Sequence, residues 1–142
     1  MKRKYKIFRS TISFGLLLSG IYLVLSTSCT EILPQLSTTA FSDTSYTSIT
    51  VYGEIIEVGD EGIQEFGFCY STTPNPTIAN LKALVGTSSM AGGFSASIAN
   101  LEPNTTYYVK AYAISDEISY YGEQLDFTTL ALGLATVSTD GV

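Results

Sequence analysis

Between Thr47 and Leu130 apolar residues return at every second position, and the prolines at 34, 74, 76 and 103 fall between such runs rather than inside them. A period of two sends successive side chains to opposite faces of an extended strand, whereas a helix repeats its apolar positions three and four apart. Proline brings no N–H to a ladder and restricts the residue before it, so these prolines mark strand ends. Residues 47–58 place Ile49, Val51, Gly53 and Ile55 on one side, and Gly59–Gly62 turns the chain. Residues 63–70 follow, with Phe66, Phe68 and Tyr70 alternating against Gly67 and Cys69, and Thr73–Pro76 stops the run. A short strand is expected at 81–85, with a helical turn as the alternative, and then a loop at 88–93. A strand at 93–99 carries Phe94, Ala96 and Ile98 in phase. After a corner at 101–105 comes a long strand at 106–115, a turn at 116–119, and 122–130 pairing back as a hairpin. With an opening strand near 37–41, about seven strands in ~100 residues describe an antiparallel β-sandwich of the immunoglobulin-like class.

The chain has 142 residues, room for one such domain, and contains no His. Triads built on imidazole and His-ligated zinc are therefore excluded. Five of its seven basic residues, Lys2, Arg3, Lys4, Lys6 and Arg9, precede an apolar run from Phe14 to Leu25. The run is shorter than the ~20 residues needed to span a bilayer, and small residues follow it, as in a secretory signal. Residues 25–29, Leu-Ser-Thr-Ser-Cys, resemble the lipobox of bacterial lipoproteins, although Ser26 stands where that family prefers a large aliphatic residue. The resemblance implies cleavage after residue 28 and a lipid on Cys29, which attaches the chain to a membrane. The remaining 114 residues keep two lysines, Lys82 and Lys110, against 13 carboxylates, a net charge of −11. Such a surface repels phosphate backbones, which excludes nucleic acid as a partner.

At 101–113 the segment Leu-Glu-Pro-Asn-Thr-Thr-Tyr-Tyr-Val-Lys-Ala-Tyr-Ala resembles the signature of fibronectin type III domains. Leu101, Pro103, Thr105, Tyr107, Val109 and Ala113 match it, and Ala111 replaces a larger aliphatic. The resemblance implies a tyrosine corner at Leu101, Pro103 and Tyr107, with the Tyr107 hydroxyl bonded to the corner backbone. Residues 67–77 and the closing Phe127-Thr128-Thr129 are similar to the form of this domain found in surface lipoproteins of Bacteroidetes. The family's usual Trp on the second strand is missing, so Tyr46, Phe66, Phe68 and Tyr70 are expected to fill its volume. The resulting organisation is a signal at 1–28, a tether at 29–36, the sandwich at 37–130, and a linker at 131–142. Residues 134–139 repeat the pattern of 33–38 at a spacing of 101 residues, which reads as the start of a truncated second repeat or as a Ser/Thr-rich tail.

Candidate sites are few. The carboxylate pairs Glu54/Glu57, Asp60/Glu61, Asp116/Glu117 and Glu123/Asp126 fall in turns or at outward positions, without the burial that raises a catalytic pKa. Their spacing does not supply the six to eight oxygens that calcium takes. Cys69 has no second ligand or partner thiol and reads as a small apolar residue. The Asn104-Thr105-Thr106 sequon belongs to the corner motif, and Pro76 disqualifies the one at Asn75. If Tyr107, Val109, Ala111 and Ala113 face the core, then Tyr108, Lys110, Tyr112 and Ile114 face outward, joined by Tyr120 or Tyr121. Such a face is suited to a protein or sugar ring, and cross-strand pairing within the sheet explains it equally well. The expectation is a non-catalytic, cofactor-free protein of the bacterial envelope, at the outer membrane, acting in binding, adhesion or spacing. The alternatives are a carbohydrate-binding accessory module and a fragment of a larger surface lipoprotein.

Overall fold

The computed structural model describes residues 30–88 and 90–133. The signal segment, Cys29 and residues 134–142 lie outside the described residues. Eight strands form two antiparallel sheets: β1 (Gln35–Ser42), β2 (Ile49–Glu57), β3 (Ile63–Ser71), β4 (Leu81–Ser88), β5 (Gly92–Ile98), β6 (Thr106–Ser115), β7 (Ile118–Tyr121) and β8 (Leu125–Thr128). One sheet has the order β1-β2-β5; the other runs β4-β3-β6, with β7 and β8 both paired to β6. Because β7 lies along residues 112–115 of β6 and β8 along 106–109, the two are one edge strand interrupted at Gly122–Gln124. The expected seven strands are thus present, with the last one divided. Its return also starts four residues earlier than the sequence suggested. Asp116 and Glu117, with φ of 47° and 66°, make a two-residue turn of the kind usually built on Asn or Gly. The Asp116 N–H is held by Gln64 Oε1 at 2.9 Å.

The predicted phase of β2 holds, since Ile49, Val51, Gly53 and Ile55 all lie inside. Phe66 and Phe68 enter the core as expected, but Tyr46 does not; it is 45% exposed. Tyr70 packs partly buried against the core as expected, and Phe94, from the opposite sheet, joins it there. The Phe94 ring stands 4.9 Å from both Phe66 and Phe68, edge-on to the first and tilted to the second. Gly53 makes this possible. A Cβ there would lie 2.9 Å from the Phe94 ring and 3.1 Å from the Phe68 ring. Further along the core Tyr107 stacks on Phe127 at 5.7 Å, and Phe41 meets the same ring at 5.8 Å.

The interruption of the edge strand exposes a ladder position that another residue fills. Gly122 donates to the Ala111 carbonyl at 2.9 Å, while the Ala111 N–H goes to Thr38 Oγ1 at 2.8 Å, a bond from one sheet to the other. Thr38 is buried, and a Cβ on Gly122 would come within 2.9 Å of its backbone nitrogen. Thr38→Val leaves the Ala111 N–H buried and unpartnered, which costs about 1–3 kcal/mol. In urea unfolding the midpoint should fall with an unchanged slope, and Thr38→Ser should restore most of the loss.

Candidate functional site

The corner fixes where β6 begins. The Glu102 N–H donates to the Tyr107 hydroxyl at 3.0 Å, and Leu101 is buried beneath. Pro103 contributes its carbonyl, which accepts from Thr105 Oγ1 at 2.9 Å. Thr129, buried at the end of β8, closes the corner by donating to the Glu102 carbonyl at 2.6 Å and accepting from the Thr105 N–H at 3.0 Å. No local pattern marks this role of the closing Thr-Thr, because it depends on two segments 24 residues apart meeting at the corner.

From that start β6 lays Tyr108, Lys110, Tyr112 and Ile114 along the outer face of the wide sheet. Tyr121 joins them, opposite Tyr112, while Tyr120 packs against the core. The expectation of an open aromatic face is corrected at Tyr112, which is 0% exposed. Opposite it on β3 stands Gly67, where a Cβ would run into the Ala83 carbonyl of β4, so the glycine lets β4 lie close, and across the sheet on β4 is Leu84. The Tyr112 hydroxyl donates to Glu65 Oε1 at 2.7 Å. Lys82 on β4 reaches the same oxygen at 2.8 Å and holds its ammonium 5.6 Å from the centre of the Tyr112 ring. One carboxylate thus ties β3 to β6 and β4. Hydrogen bonds from Lys82 and then Tyr112 hold the Glu65 carboxyl below its ordinary range, against a smaller opposing effect of burial. Burial, and next the bond to Glu65, push the Tyr112 phenol well above its own.

The segment between β3 and β4 completes the cover. Asn75 donates its N–H to Gln124 Oε1 at 2.6 Å and accepts from Lys110 Nζ at 3.3 Å. Ile78 donates its N–H to the Tyr121 hydroxyl at 3.2 Å, and Pro76, between these ties, is fully buried. What the sequence marked only as a strand stop is a strap across the face. Tyr108, Lys110 and Ile114 remain half-buried, with Lys110 occupied by the strap, so the four residues do not form a continuous aromatic platform. Cys69 lies beneath the same face, wholly buried, its thiol donating to the Lys110 carbonyl at 3.7 Å and pushed up by burial to about 11. A thiol held neutral in this way is a poor nucleophile.

All eight residues of the carboxylate pairs are exposed, and among the described residues no three His, Cys, Asp or Glu side chains gather as a metal cluster. On the narrow sheet an open depression of about 360 Å³ is lined by Thr39, Tyr52, Glu54, Gly93 and Ser95. Its single carboxylate gives it no acid–base pair of the kind hydrolysis uses.

Solved structures place this architecture. The sensor domain of the anti-sigma factor RsgI4 from Pseudobacteroides cellulosolvens superposes with a TM-score of 0.57 at 21% identity, over 70% of this chain and 96% of its own. The fibronectin type III domain of human contactin 1 does so with a TM-score of 0.55 at 18% identity, over 86% and 99%. Another human fibronectin type III domain gives 0.53 at 16%, over 87% and 96%. The chain folds as a fibronectin type III-like sandwich. At these identities the likeness is one of fold, and no protein-family model or curated protein matches the chain.

Because the folded state holds the Glu65 carboxyl low, its contribution is fully present above the ordinary carboxylate range and is lost as pH falls through the lowered value. The stability gap between the wild type and Glu65→Gln should therefore be widest near neutrality and close below pH ~4. Lys82 and Glu65 are each about one third exposed, so the pair is screened and the gap stays under about 1 kcal/mol. Denaturant melts from pH 7 to pH 3 measure it.

Proposed function

We propose that this chain is a non-catalytic binding or spacing domain of the bacterial cell envelope, held close to the outer membrane by a lipid on Cys29. The observation that carries the reading is how early the fold takes hold of the chain. Asp60, in the β2–β3 turn, donates its N–H to the Ile32 carbonyl at 3.0 Å, and its carboxylate accepts from the Ile32 N–H at 3.1 Å. Pro34 is buried, and Gly59 (φ 78°) leaves the room for it, since a Cβ there would lie 2.8 Å from the proline ring. Only Thr30 and Glu31 separate Cys29 from this grip, rather than a tether running to residue 36. The three extended steps from Cys29 to Ile32 reach ~10 Å. A lipid on Cys29 therefore sets the β2–β3 end of the sandwich against the bilayer.

The absence of catalysis is argued from the dispersed, exposed carboxylates and the buried, neutral Cys69. A sensor domain among the proteins of like fold is in keeping with a recognition role. The intact mass of the protein from membranes of its own host tests the reading. A 29–142 chain carrying acyl groups is expected, and Cys29→Ala should release the protein to the soluble fraction. An unmodified wild-type chain in the soluble fraction would overturn it.

A further inference from the structure

We propose that the outer edge of the wide sheet is a self-association surface, along which β4 pairs antiparallel with β4 of a second copy. β4 is the terminal strand of its sheet, hydrogen-bonded on one side to β3. Its apolar side chains are left in solvent: Leu81 is 60% exposed, Leu84 64% and Val85 39%. Native edge strands are usually guarded by proline, by charge or by a covering segment. β4 has no proline, and its one charge, Lys82, is drawn back onto Glu65 and Tyr112. A bulge at Val85, where the partner of Gly86 is Phe66 and that of Leu84 is Gly67, limits the flat stretch to Leu81–Leu84. The pairing is therefore short and weak.

Charge selects a second copy as the occupant. The described residues carry 12 carboxylates, yet Phe66–Leu101, which supplies β4, β5 and the segment before β4, contains none. Two molecules this acidic repel each other wherever their carboxylates meet. On the flank formed by β4 the one carboxylate at hand, Glu65, is neutralised by Lys82, so the two molecules meet there with little of that cost. The neighbouring edge, β5, is also free of acid but offers only glycine and serine to solvent, so the apolar contact belongs to β4.

The register follows from the faces. Lys82 and Leu84 share the outer face with Cys69 and Gly67, while Leu81 and Ala83 share the inner face with Tyr70 and Phe68. A twofold axis normal to the sheet keeps inner opposite inner, so it passes through a residue rather than between two. Centred on Ala83, it sets position 82 of each copy against Leu84 of the other and keeps the pairing within the flat stretch. Centred on Lys82, it would set the two lysine positions directly opposite each other and leave each Leu84 without an apolar partner. The Ala83 register joins the wide sheets of the two copies into one continuous sheet.

This inference goes beyond the proposed function and does not depend on the lipid. Sedimentation of the full chain in a mild detergent, from about 1 μM to about 1 mM, spans the range of a weak specific pair. A concentration-dependent shift from one chain to two is expected. Leu84→Lys places a second ammonium opposite Lys82 at both symmetric contacts and should weaken the pair about tenfold or more. Leu84→Glu, able to meet that lysine, should weaken it less. Both variants should melt with the wild type because Leu84 is exposed; should either fold poorly, concentration-dependent amide protection of residues 81–84 in the wild type decides instead. A single chain throughout the range, dimers indifferent to Leu84→Lys, or amides 81–84 unprotected in the dimer would each overturn the proposal.

Discussion

The sandwich closes on a ring that crosses from one sheet to the other. Phe94, on the narrow sheet, reaches Phe66 and Phe68 of the wide one because Gly53, its neighbour on β2, has no side chain in the way. The chain has no tryptophan, and three phenylalanines supply the large rings between its sheets. Interiors pack like crystals, so the arrangement fixes the spacing of the sheets and with it the height at which β6 runs. The Tyr107 corner and the Thr38 bond to Ala111 then hold β6 at its beginning and its middle.

With β6 placed, its outward residues meet a sheet that has already been covered. Gly67 lets β4 lie close to β3, Glu65 holds the Tyr112 hydroxyl, and the strap through Asn75, Pro76 and Ile78 fastens to Lys110, Gln124 and Tyr121. The broad face is thereby structural. The functional proposals rest on two places outside that face, the apolar β4 edge and the end at which the chain enters from Thr30.

Much of this was legible in the residues, because β-strands advertise themselves through period and punctuation. The alternation of Ile49, Val51, Gly53 and Ile55 set the phase of β2, and the limits of β6 at Thr106 and Ser115 could be read directly. The parts that could not be read are those decided by distant contacts. Alternation says which side Tyr112 faces, but not that a segment more than 30 residues earlier covers that side. The choice of Phe94 over Tyr46 as the interior aromatic depends on a glycine in a neighbouring strand. The turn at Asp116-Glu117 carries no glycine or asparagine, because Gln64 supplies a support that no local pattern displays.

The outer face of the wide sheet is closed over Tyr112, and the phenol of that residue reports on the closure. A phenol pushed up by burial and by an adjacent carboxylate stays protonated until the fold gives way. Tyrosinate absorbance of the full chain, titrated beside that of Tyr112→Phe, is the measurement to make. The two folded proteins should gain the same tyrosinate signal up to pH ~11, since an open tyrosine ionises near 10. An additional wild-type increment with a midpoint near 10 would show that the ring stands open to water, and would contradict the closed face.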